Sequence, residues 1–265
     1  MIEIMQSTAK EENPQFVESK RKPDEDNVAW VKRHCPKTTQ AVLLLFGGVD
    51  QVSFRVRVAQ SHARHNLTPS HWSDVVLVKN PDGITTRTQT FEASLQPTGG
   101  FGFPTSSNGI QSGTLAAYRD AKQFPNVAIL QVPVAGAKVK EAIEQFQVMR
   151  HVVNGVDLLV AWLAHVWGVT SADNPLLREI GVPSAVLMEY ATGAVGFDLT
   201  PGLASRSSCP EAIWQAAKWW HRFYITRGEE GGEQVIPTRA AQPAATESPI
   251  IGKWCVDNIL GQGQG

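Results

Sequence analysis

Residues Ala41 to Phe46 (AVLLLF) form an unbroken apolar run closed by Gly47-Gly48. A run this short, ended by glycines, reads as a buried strand. Val52 to Val58 (VSFRVRV) alternates apolar and polar residues, which favours a half-exposed strand over a short helix. Asp74 to Val78 (DVVLV) is a second buried strand. Asn80-Pro81-Asp82-Gly83 then predicts a hairpin-like turn, with Ile84 to Leu95 returning as a strand. Val127 to Val134 (VAILQVPV) is another, entered after Phe124-Pro125-Asn126.

The period then changes. Val139, Ile143, Phe146 and Met149 fall on one helical face. Val156 to Trp167 is apolar nearly all round, which predicts a central buried helix. Asn174-Pro175 and Gly181-Val182-Pro183 read as loops. Cys209 to Tyr224 reads as a helix with Ile213, Ala216, Ala217 and Trp220 facing inward. Strands first and helices after is the order of an α+β fold.

The flanks differ in composition. Residues 1–38 are polar and read as a mobile arm or a peripheral helix. Residues 39–226 hold the predicted elements and form one domain. Residues 227–265 are rich in Gly, Pro, Ala and Glu and read as a flexible tail, whose IIGKWCV stretch is apolar enough to dock back.

A chain of 265 residues with 42% hydrophobic and 18% charged residues supports a full core. Its net charge of -1 argues against a general nucleic-acid binder. The start, MIEIMQSTAKEENPQF, lacks a basic segment followed by an apolar run, and no stretch is long enough to span a bilayer. Three scattered cysteines suit a reducing cytoplasm and leave one thiol free to act as a nucleophile.

Cys209 is the candidate. Ser208-Cys209-Pro210-Glu211 has the form of a capping box, and proline suits a first helical turn. A thiol at a helix N-terminus feels the positive end of the dipole, which favours the nucleophilic thiolate. Backbone N–H groups there can also hold an oxyanion. The plain alternative is a buried structural cysteine. Cys35 lies in a basic stretch and Cys255 in the tail.

The order of motifs resembles the circularly permuted NlpC-type branch of the papain-like thiol hydrolases. The likeness runs from Ala41 to Tyr224. It begins with LLLFGGVD, and SHWSDVVLV is similar to that family's Ser-His-Val-Gly-Ile strand. Phe91-Glu92-Ala93, the Asn108-Gly109-Ile110 turn, LAAYRD and VAILQVPV follow in order, and SRSSCPEAIWQAAKWW resembles the helix that carries the nucleophile. The resemblance implies a central antiparallel sheet packed against helices. It implies acyl transfer or hydrolysis at an amide, ester or thioester of a peptide or acyl substrate, through a Cys209 thioester and without a cofactor.

The same alignment puts Asp74 where the family's catalytic histidine belongs, with His71 three residues earlier. His71 is then the candidate proton carrier, oriented by Glu92 or Asp74; otherwise Asp74 itself replaces the base. A carboxylate is a poor base for a thiol unless burial raises its pKa. The second case corresponds to a binding protein on an enzyme fold.

Other features are open to plainer readings. His62 and His65 read as solvated loop residues, and His151, His165 and His221 as packing or surface residues. No helix carries histidines at metal-binding spacing. The tryptophans near positions 162 and 214 to 220 read as core. Gln96 to Gly113 is long and Gly-rich, which suits a lid over the thiol. Asp198 to Gly202 is either a turn or a wall of the cleft.

Overall fold

In the computed structural model, residues 16–96, 105–149, 153–168, 172–230 and 250–258 are described. The strands are β1 (Phe16–Glu18), β2 (Gln40–Gly47), β3 (Asp74–Val78), β4 (Gln89–Glu92), β5 (Gln111–Thr114), β6 (Asn126–Ala135) and β7 (Ile251–Val256). The helices are α1 (Asn27–His34), α2 (Gln51–Ala59), α3 (Gly136–Val148), α4 (Gly155–Val166), α5 (Pro183–Ala194) and α6 (Pro210–Glu230). The fold is α+β. Its sheet runs β1-β7-β6-β2-β3-β4-β5, antiparallel throughout except for the parallel β1–β7 pair.

The unbroken apolar run of β2 follows from its central position. Alternate side chains point to opposite faces of a strand. Ala41, Leu43 and Leu45 join one core, with Val52, Val56, Ala185 and Met188. Val42, Leu44 and Phe46 join a second, with Trp30, Leu115 and Tyr118. A sheet covered on both faces needs apolar residues at every position of its middle strand.

Segment 52–58 is helical, contrary to the alternation. Asp50 caps α2: its carboxylate accepts the Ser53 N–H at 3.0 Å and the Ser53 hydroxyl at 2.7 Å. The helix buries Val52, Val56 and Ala59, leaving Phe54 and Val58 largely exposed, so half of the apparent strand pattern faces water. α4 also departs from expectation. It buries only Leu159, Trp162 and Val166, with Val160 60% exposed. It is an amphipathic surface helix.

The most enclosed helix is α5, whose start the sequence presents as a Gly-Val-Pro loop. Pro183 occupies the first turn, where its missing N–H has no helical partner to lose. Nine of its twelve residues are buried, Ser184, Glu189 and Thr192 among them. The helix packs on β3.

The flanks belong to the body. β1 pairs with β7, and α1 buries Trp30 completely, its indole N–H donating to the Ser19 carbonyl. The stretch 16–38 is therefore no mobile arm, and Trp30 makes its helix part of the core. β7, expected as a docking stretch of the tail, lies inside the sheet between β1 and β6. Behind it, the fully buried Arg57 guanidinium donates to the carbonyls of Gly48, Ser70 and Asn258, tying α2 to the chain beyond β7. Of the stretch expected as a lid, residues 97–104 lie outside the described residues, and its end, from Gln111, belongs to β5.

Candidate functional site

The β3–β4 register creates the polar centre of the molecule. Leu77 pairs with Phe91 and Val78 with Thr90. Asp74 and Glu92 are each in phase with Val76 and Thr90, so both carboxylates leave the sheet on the face carrying Phe46 and Tyr118. The Tyr118 ring stacks on Phe46, centroids 4.2 Å apart and planes 10° from parallel. That stacking aims its hydroxyl between the acids. Tyr118 Oη lies 2.9 Å from Asp74 Oδ2 and 2.9 Å from Glu92 Oε2. A phenol carries one proton. For both contacts to be hydrogen bonds, one carboxyl must hold a second proton. The three groups therefore share protons, in line with two further shifts. Burial pushes the Asp74 carboxyl above its ordinary range, and burial beside the two acids pushes the Tyr118 phenol well up. Glu92 is buried against Gly113, where a Cβ would stand 2.5 Å from its Oε1. A side chain at that position would have to displace the Glu92 carboxylate.

Asp74 is half-buried and opens on a cleft of about 100 Å³. Two helix starts flank it. α2 contributes Val52 and Ser53, and α5 contributes Ser184. The Ser184 hydroxyl is buried at the α5 start. It lies close enough to Asp74 to help hold its carboxylate, yet makes no hydrogen bond of ordinary geometry. No side chain caps α5. The helix that meets the strand of Asp74 thus carries a serine in its first turn, directly after Pro183.

Cys209 stands at the start of α6, as its sequence implies. Its carbonyl accepts the Ile213 N–H at 3.1 Å, and the N–H groups of Ala212 and Glu211 favour its thiolate. Burial outweighs both. The residue is 3% exposed, and its thiol is pushed up to about 12. The expected capping box is rearranged. The Ser208 hydroxyl donates to Glu189 Oε1 (3.1 Å), Glu211 accepts from Ser70 (2.6 Å), and Gln60 Oε1 accepts the Glu211 N–H (2.8 Å).

His71 lies elsewhere, in a cavity with Arg64, Glu211, Trp214, Lys218 and Trp254. Its Nδ1 is buried without a hydrogen-bond partner. Burial, with Arg64, Arg57 and Lys218 nearby, lowers its pKa to about 4, so the ring is neutral at pH 7. Among the described residues no histidine hydrogen-bonds Cys209, Asp74 or Ser184. His62 Nδ1 instead contacts the Ala59 carbonyl at 3.0 Å.

Of the four residues singled out by sequence, two meet: Asp74 and Glu92. Cys209 and His71 join neither them nor, through any hydrogen bond, each other. Tyr118 and Ser184 complete the centre and escaped notice. LAAYRD is too short to reveal that its tyrosine turns inward, and Ser184 follows a proline that reads as a loop. Among the described residues, no three His, Cys, Asp or Glu side chains are grouped to hold a metal, and no helix is long and apolar enough to cross a membrane. Comparison of the chain with protein-family models, with curated proteins and with solved structures finds no match.

Proposed function

We propose that the chain is a papain-like α+β protein of the circularly permuted NlpC type whose cleft binds a ligand without acyl transfer. One observation carries this reading: the carboxylate of Asp74, the residue that the resemblance aligns with the family's histidine, is held by Tyr118 against Glu92. A group sharing protons in a buried cluster is a poor acceptor for a nucleophile's proton. The helix start opposite it offers Ser184, a hydroxyl to which no imidazole among the described residues is hydrogen-bonded. Free thiols at Cys35, Cys209 and Cys255 suit a cytoplasmic setting.

Thiol chemistry at Cys209 is the rival reading, and one observation favours it: Cys209 caps a helix whose N–H groups favour its thiolate. Iodoacetamide labelling of the folded chain as a function of pH separates the two. On the binding reading Cys209 stays unlabelled through pH 9 and reacts once urea unfolds the chain. Labelling of the folded chain with an apparent pKa below 8 would favour the thiol enzyme.

A further inference from the structure

We propose that the cleft between Asp74 and Ser184 binds a protonated amine: the α-ammonium of a peptide or a lysine side chain. This rests on the reading of the cleft as a binding site. Three observations point to it.

The first is the sign of charge. Asp74 lines the cleft, Glu92 stands behind it across Tyr118, and Asp50 acts on Asp74 from the α2 cap. No Lys, Arg or His is among the described lining residues. An ammonium donating to Asp74 supplies the opposite charge at this acidic wall.

The second is an unused hydrogen-bonding group. The Ser184 hydroxyl is 1% exposed, lines the cleft, and makes no hydrogen bond of ordinary geometry. Its O–H is near enough to Asp74 to favour the carboxylate, which leaves its oxygen lone pairs open to a donor. An ammonium has three donors. One can go to Asp74 and one to Ser184 Oγ. Third, part of the lining is apolar: Val52, Val56, Leu95 and Phe124 offer a surface for the carbon stem of an amine, beside the polar Ser94, Gln96 and Gln123.

Calorimetric titration of the full chain at pH 7 tests this with three probes. These are Ala-Leu-Ala-amide, its N-acetylated form, and N-acetyl-Ala-Lys-Ala-amide. At least one amine-bearing probe should bind, and which one identifies the source of the ammonium. The fully blocked peptide should not bind. Asp74→Asn should weaken binding by at least about tenfold, and Ser184→Ala by a smaller factor. The proposal fails if neither amine binds, if the blocked peptide binds as tightly, or if Asp74→Asn binds like the parent. Blocked-peptide binding that depends on Asp74 would overturn the ammonium while leaving the binding reading intact. Cleavage of a probe would overturn the binding reading itself. Asn preserves the shape of Asp; should that variant lose its cooperative melt, Ser184→Ala and the blocked peptide decide.

Discussion

Tyr118 Oη bridges Asp74 Oδ2 and Glu92 Oε2, 2.9 Å from each, with its ring stacked on Phe46. The bridge couples two strands to the turn at Leu115–Tyr118 and fixes the floor of the cleft. Tyr118→Phe keeps the stack and removes the hydroxyl that bridges the two acids. Urea denaturation at pH 7 should show a loss of about 1–3 kcal/mol. Asp74→Asn relieves the same repulsion. The double variant should therefore differ from the sum of the singles by at least about 0.5 kcal/mol. Strict additivity would mean that the bridge is not energetically real.

Glu189 provides a test of pH dependence. It lies on α5, almost wholly buried, and accepts from Thr200 Oγ1 at 2.6 Å and from Ser208 Oγ at 3.1 Å. Burial raises its pKa from 4.5 to about 7. The folded state holds this proton more tightly than the unfolded state. The stability it contributes is full below about 4.5 and is lost as pH rises through about 7. Glu189→Gln keeps both acceptor contacts and removes the charge. Its stability should fall less than the parent's between pH 4.5 and 8, with a gain at pH 8 of up to ~3 kcal/mol. Equal pH slopes for variant and parent would show that Glu189 does not titrate in this range.

Arg57 is a buried cation whose recorded partners are carbonyls and the Asn258 side chain. Burial lowers its pKa to about 10, which leaves it charged at neutral pH. Lysine cannot reproduce a planar fork that meets Gly48, Ser70 and Asn258 together. Arg57→Lys should cost about 2–4 kcal/mol by chemical denaturation. It should also speed amide exchange in β7 before the rest of the sheet. Unchanged β7 protection would mean that Arg57 does not hold the C-terminal strand in place.

The sequence reveals the elements whose burial is one-sided or complete, and hides those set by tertiary partners. β2, β3 and β6 are legible because both sheet faces are covered, which leaves continuous apolar runs. α2 is not, because Phe54 and Val58 happen to fall in alternation with Val52 and Val56. Its Asp50 cap was the signal that outranked the alternation. α5 is hidden by its opening proline, although proline is at home in a first turn. α1 and β7 look peripheral by composition, yet one indole and one guanidinium bind their segments to the body. In the candidate site, Asp74 and Glu92 are singled out through the family resemblance, and the β3–β4 register that brings them to one face comes from the fold. The state of Cys209 is not legible, since a helix start and burial pull its thiol in opposite directions and only the fold shows how deeply it lies.

The most direct test of ligand binding without acyl transfer is intact-mass spectrometry of the full chain after incubation with p-nitrophenyl acetate, with release of nitrophenolate followed in parallel. The expected result is an unmodified mass and a release rate unchanged by Cys209→Ala or Ser184→Ala. A stoichiometric burst with an acetyl adduct mapped to Cys209 or Ser184, abolished by the matching variant, would contradict it.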